Sequence, residues 1–200
     1  MNHHRLGFSL LAIALITLSI AVFAPMTAAA AEGPRMALFQ LGGGAAFPSY
    51  PSAVETLLSD AESQPGVDRI NLSLDLGLGI ALTQQGFLMA RIDGVADRLF
   101  DSSDYLQMNM YLYSLGVRYF PMTTGLYIEG SGGASRAVVQ TSAGTTSASD
   151  FGFGYGVALG YDFTRSVRGF GLLLEARYLG LTIDSEQAGC IMLTVDLCWK

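Results

Sequence analysis

The sequence predicts an all-β fold, an eight-stranded antiparallel up-and-down transmembrane β-barrel over residues 32–200, preceded by a cleavable signal peptide at 1–31. Three observations carry that prediction. Apolar residues alternate with small or polar ones along most of the chain, as they do when successive side chains of a strand point to opposite faces. Charged residues make up only 14% of the chain, where a soluble domain carries about 25%. The 24 glycines well exceed the usual share of roughly 7%.

The elements follow in order. Arg5 supplies the charge of a signal-peptide n-region, Leu6 to Ala24 the apolar stretch, and Ala28 to Ala31 the small residues of a cleavage site. An uncleaved anchor helix is the alternative, and the alanine run favours cleavage. The first strand is expected in 35–47. The loop 48–68 then holds the one helical signal, Ser52-Ala53-Val54-Glu55 as a capping box followed by Leu57, Leu58 and Ala61. From Ile70 to Leu82 every second residue is Leu or Ile, against Asn71, Ser73, Asp75, Gly77, Gly79 and Ala81 on the other face. A short turn at 84–86 leads into 87–98, and 99–104 into 105–119. There the apolar phase moves from Leu106, Met108, Met110 and Leu112 to Leu115, Val117 and Tyr119, which predicts a bulge near Tyr113–Ser114. After the turn 121–125 come 126–139, a polar and mobile loop at 140–150, and 151–163, where Phe and Tyr alternate with Gly. The turn 164–168, the strand 169–183, the polar loop 184–189 and the strand from Ile191 to Trp199 complete eight.

Short connections on one side and longer ones on the other suit an outer-membrane barrel with both termini in the periplasm. Phe87, Tyr119, Phe163, Phe170 and Trp199 then mark the periplasmic girdle, and Phe47, Phe100, Tyr105, Phe151 and Phe153 the outer one. The lone lysine, Lys200, is expected in water at the periplasmic end. A soluble lipocalin-like barrel would face the other way, with its apolar side inward and Lys and Glu outside, and this chain lacks the lysines for it. Facing inward instead are Arg91, Asp93, Asp97, Glu129, Glu175, Arg177 and Asp196. Eight strands enclose a lumen that side chains can fill. Arg91, Asp93, Glu129, Glu175 and Arg177 are therefore expected to pair as a structural ionic network, with a gated polar conduit as the alternative. The near-absence of side chains on the inner face of 151–163 makes room for Tyr127, Glu129, Glu175 and Arg177.

Several function classes are excluded. An acidic chain with 11 Lys and Arg against 17 Asp and Glu has no footprint for nucleic acid. Both histidines, His3 and His4, fall in the signal peptide, so the mature chain lacks the usual acid–base group and no catalytic residue is assigned. No cofactor is expected. A metal site would need Cys190 and Cys198, which along one strand stand about 26 Å apart, too far also for a disulfide. Nothing in the sequence gives these two thiols a role.

The stretches Leu115-Gly116-Val117-Arg118-Tyr119-Phe120 and Gly125-Leu126-Tyr127-Ile128-Glu129-Gly130, with the terminal strand Ile191 to Trp199, resemble the small eight-stranded outer-membrane proteins, the OmpA/OmpX-like barrel family. The likeness covers most of the mature chain and is architectural. It implies a non-enzymatic outer-membrane protein of a Gram-negative bacterium with a structural or surface-interaction role. A narrow porin-like channel or a barrel binding or transporting small apolar ligands is the alternative. Its expected partners are outer-membrane lipid and lipopolysaccharide, the barrel-assembly machinery through the strand ending at Trp199, and an extracellular ligand met by the loops. The chain departs from the family pattern in ending on Lys200 after the aromatic Trp199.

Overall fold

The computed structural model describes residues 37–200, so the predicted signal peptide lies outside the described residues. The strands are β1 (Ala37–Ser49), β2 (Asp68–Ala81), β3 (Gly86–Phe100), β4 (Tyr105–Tyr119), β5 (Leu126–Thr141), a short β6 (Thr146–Ala148), β7 (Gly152–Asp162), β8 (Phe170–Ile183) and β9 (Glu186–Trp199). All pairings are antiparallel between chain neighbours among the eight long strands, and β1 pairs with β9 to close the barrel. Starting at Ala37, the partners run Ile80, Leu88, Val117, Gly130, Val157, Tyr178, Ile191 and back to Phe47. The circuit returns ten residues further along β1, which for eight strands means a tilt of about 40° to the axis.

That tilt fixes the height of each outward side chain. Apolar residues face outward from Tyr119, Phe170 and Trp199 at the end holding the C-terminus to Phe47, Tyr111 and Phe153 near the other. The belt is roughly 23 Å tall by strand rise and tilt, close to the ~25 Å apolar band of transmembrane barrels. Outward leucines are exposed, Leu74 at 68% and Leu115 at 65%. In water such a continuous apolar surface would be a liability; in lipid it is the condition for insertion. Phe87 does not join the girdle. It is buried inside the barrel base, edge-on to Phe120 with ring centroids 6.1 Å apart.

Four local expectations are corrected. β4 carries no bulge: its register with β3 and β5 is unbroken from Leu106 to Tyr119. The apolar phase changes because Met110 and Leu112 face inward, into an apolar layer of the lumen, while Ser114 and Arg118 continue the same inner face. The segment 184–189 is not a loop. Asp184 and Ser185, at φ 49° and 71°, make a two-residue hairpin turn of the left-handed kind, and the strands pair up to it, Ile183 against Glu186. The segment 140–150 is partly ordered, since β6 pairs with β5 at Val138 to Gln140. Finally, the helix α1 (Ser52–Glu62) forms, but its cap is Pro51, without a side-chain hydrogen bond. The Pro51 carbonyl accepts from the Val54 and Glu55 amides, and Ser52 lies inside the helix.

Candidate functional site

The inner face is stacked in layers along the axis. At the end holding the C-terminus lies an apolar floor of Leu38, Phe87, Met89, Phe120, Tyr127, Leu173 and Cys198. Near the opposite end is a second apolar layer, including Val95, Met110, Leu112, Leu179, Leu181, Cys190 and Met192. Between them is a charged layer. The lumen is therefore not polar throughout, which is why inner and outer faces of β4 look alike in sequence. Cys190 and Cys198 occupy different apolar layers and are both free thiols.

Period two puts the charged residues in this layer because each stands at an inward position of its strand. Arg91 and Asp93 come from β3, Glu129 from β5, and Glu175 and Arg177 from β8. Glu175 is the hub. It accepts from Arg91 at 3.1 and 3.3 Å, from Arg177 at 2.9 Å, from Arg118 at 3.4 Å and from the Tyr127 hydroxyl at 2.8 Å. Glu129 accepts from Arg118 at 2.8 Å and from Arg177 at 2.5 Å. Asp93 lies 3.2 Å from Arg91 and 3.7 Å from Arg177.

Sequence reasoning passed over Gln40, Asp75, Arg118 and the full part played by Tyr127. Arg118 is completely buried, lies 4.1 Å over the Tyr127 ring and donates to Gln40 at 2.9 Å. Its signal was available, since alternation from Tyr119 inward makes position 118 face the lumen. Gln40 in turn donates to Asp75 at 3.1 Å and to Asp196 at 2.7 Å. The layer holds three guanidiniums (Arg91, Arg118, Arg177) and five carboxylates (Asp75, Asp93, Glu129, Glu175, Asp196). One oxygen of Asp75 and one of Asp196 lack a hydrogen-bond partner, and both occupy the space a Cβ on Gly42 would need.

Each end of the barrel is also tied. At the end bearing α1, Arg69 donates to Asp97 at 2.7 and 2.9 Å and to Glu62 of the helix at 3.4 Å, while Tyr50 donates to Asp97 at 2.9 Å. Burial and the Asp97 carboxylate hold the Tyr50 phenol well above its ordinary pKa, so it stays a neutral donor. The connecting segments at this end, 50–67, 101–104, 142–151 and 184–185, contain Glu55, Asp60, Glu62, Asp101, Asp104, Asp150 and Asp184 and neither Lys nor Arg.

At the opposite end Lys200 corrects the expectation of a solvated terminus. Its side chain is 2% exposed and its ammonium donates to Asp162 at 2.5 and 2.6 Å and to Thr164 at 3.1 Å. Its backbone exchanges two hydrogen bonds with Gly169. The chain end is thus latched to the β7–β8 connection. Lys200→Met is expected to lower stability by about 1–3 kcal/mol, because Asp162 keeps only the Thr164 amide and hydroxyl as donors. Asp162→Asn in the same chain should restore most of the loss. Urea titration of the folded barrel, followed by the electrophoretic shift between folded and unfolded forms, would show it; unchanged midpoints would remove the latch.

Among known proteins, the profile of a family described as outer membrane protein beta-barrel domain matches residues 12–191. No curated protein matches the sequence. Solved structures that share the fold include these two. Ail, the attachment invasion locus protein of Yersinia pestis, in complex with the heparin analogue sucrose octasulfate, is 12% identical with a TM-score of 0.58, over 84% of this chain and 100% of that one. Neisserial surface protein A is 16% identical with a TM-score of 0.57, over 84% of this chain and 99% of that one.

Proposed function

Belonging to the family of outer membrane protein β-barrel domains, the chain is an outer-membrane protein of a Gram-negative bacterium, and we propose that it serves a non-enzymatic, structural and surface-interaction role with a plugged lumen. The observation carrying this reading is the charged layer itself. Arg118, Asp93 and Asp196 are each 0% exposed, with apolar layers on both sides. A conduit needs a continuous polar path, and here the charged layer is closed off by an apolar layer on either side. Four of the five lumen carboxylates are engaged by guanidiniums, and residues 32–200 contain no histidine, which favours a structural role over hydrolysis. The network of Arg91, Asp93, Glu129, Glu175 and Arg177 is the plug, and Arg118 and Asp75 complete it.

In the orientation usual for such barrels, the termini are periplasmic and the end bearing α1 faces outside. The strand ending at Trp199 is then positioned for the assembly machinery. The outer loops, carrying seven carboxylates and no cationic side chain, suit a cationic partner. Ail was solved with a polyanionic sugar; loops of this charge would repel one. The test of the plug is a planar bilayer. Reconstituted protein should give no stable unitary conductance at neutral pH, and reproducible open levels would overturn the closed-lumen reading.

A further inference from the structure

Gly42 on β1 has Asp75 of β2 as its register partner on one side and Asp196 of β9 on the other. All three positions face the lumen, beside the seam where β1 and β9 close the barrel. The two carboxylates lean into the space that a side chain at 42 would fill. Asp75 Oδ2 and Asp196 Oδ1 would both overlap a single Cβ there, so they lie no more than about 4 Å apart, the reach of one methyl group. Both residues are buried, at 2% and 0% exposure, and neither of these oxygens has a hydrogen-bond partner. Their other oxygens are taken. Gln40 donates to Asp75 Oδ1 at 3.1 Å and to Asp196 Oδ2 at 2.7 Å, and Arg91 donates to Asp75 Oδ1 at 2.9 Å. The Gln40 amide is held that way round because its oxygen accepts from Arg118, which can only donate. Both amide protons are thereby used, and neither Gln40 nor Arg91 donates to the facing oxygens.

Two ionised carboxylates so close repel each other, and a dry layer screens them little. A divalent cation between them would take about six oxygen ligands or more, and among the described residues no three acidic, cysteine or histidine side chains converge on such a site. A proton needs only the two oxygens. The surrounding titratable groups are Arg91 and Asp93 of β3, Arg118 of β4, Tyr127 and Glu129 of β5, and Glu175 and Arg177 of β8. Asp75, Asp93, Glu129 and Glu175 each lie within ion-pair distance of a guanidinium. Among the described residues Asp196 is the carboxylate of the layer that does not, so it is the natural holder of the proton. We propose that Asp75 and Asp196 form an acid–carboxylate pair, in which Asp196 Oδ1 carries a proton at neutral pH and donates it to Asp75 Oδ2, clasping β2 to β9 across the missing side chain of Gly42. The proton is taken from solvent on folding and returns there when the clasp opens. With it bound, three guanidiniums face four ionised carboxylates, and its loss at alkaline pH leaves two anions opposed at the seam. The pair goes beyond the plugged-lumen reading and holds whether or not the lumen conducts.

The test follows residues 32–200, folded in lipid vesicles, through urea unfolding from about pH 5.5 to about pH 7, where an unfolded aspartate has already lost its proton. No histidine titrates in this window, since residues 32–200 contain none. The native state then holds one proton more than the unfolded chain, so stability falls as pH rises and the unfolding constant should grow about tenfold per pH unit. The D196N variant should fold, with heat-modifiable migration, and lose this slope. A second measurement reads the proton directly. The infrared spectrum of the folded wild type at neutral pH should show the C=O stretch of a protonated carboxylic acid, moved by carbon-13 labelling of aspartate and absent from D196N. A wild type lacking either the slope or the band would overturn the pair, and so would a slope or band that D196N retains. A midpoint that ignores pH but rises with sodium chloride and not with choline chloride would put a cation between the two oxygens and overturn the shared proton. Conductance enters none of these arms, so failure here is distinct from failure of the plug.

Discussion

Arg118→Met should destabilise the folded barrel by about 3–5 kcal/mol, the cost of removing one partner from a buried ionic network, and should lower the urea midpoint more than any single carboxylate neutralisation in the same layer. The reason is arithmetic as much as geometry. Arg118 is 0% exposed and reaches Glu129, Glu175 and Gln40 together. With three guanidiniums serving four carboxylates, Asp75, Asp93, Glu129 and Glu175, removing one cation worsens an existing surplus of negative charge, and methionine of similar length cannot offset it. Removing a carboxylate acts in the opposite direction. Asp196→Asn keeps the shape and an acceptor for Gln40, relieves an oxygen that has no partner, and should shift stability by less than about 1 kcal/mol in either sense. The pairing can be isolated by a cycle: Glu129→Gln should cost far less in the Arg118→Met background than alone, because contacting charges are not additive. Urea midpoints in lipid vesicles would measure all four chains. If Asp196→Asn costs as much as Arg118→Met, the charge-surplus argument fails and the layer is held by packing alone.

Much of this arrangement was readable because lipid enforces period two so strictly. The leucines from Ile70 to Leu82, and the glycines opposite Phe153, Tyr155 and Val157, allow one assignment of faces. Where the signal failed, the environment on the two sides had stopped being different. Met110 and Leu112 are apolar although they face inward, because the upper lumen is itself apolar, and the eye then reads a bulge. Glu186 to Gly189 read as a loop because that part of β9 rises past the lipid belt, where the outward face meets water and loses its apolar residues. The Lys200–Asp162 latch joins positions 38 apart across a turn and a terminus, and no local pattern encodes such a contact. Arg118 was legible from parity alone, but the apparent phase shift in 105–119 obscured which parity applied. The helix α1 was legible from its apolar spacing, whereas its cap was not, since Pro51 fixes the entry angle by its ring rather than by a side-chain acceptor.

The inner face of β7 yields the second large effect. Gly160→Val should block folding of the barrel or lower its stability by at least about 3 kcal/mol, the upper end of what overpacking costs in a filled interior. A Cβ at position 160 would fall inside the Tyr127 ring. That ring is 0% exposed, packs at a tilt of 51° against Phe120 with centroids 5.3 Å apart, carries Arg118 on its face and donates its hydroxyl to Glu175. It has no free volume to move into without breaking the hub of the charged layer. Gly130 provides the control on the outer surface, where a Cβ meets nothing within 4 Å; Gly130→Val should fold normally, since it only adds an isopropyl group to the lipid face. The decisive chain is Gly160→Val with Tyr127→Ala. If the glycine exists to admit the tyrosine, removing the ring should recover heat-modifiable folding that Gly160→Val alone loses, at the expense of the Glu175 hydrogen bond. If the double variant folds no better than Gly160→Val, the glycine answers to backbone closure of β7 against its neighbours, and the exchange of side-chain volume across the lumen is not what this strand encodes.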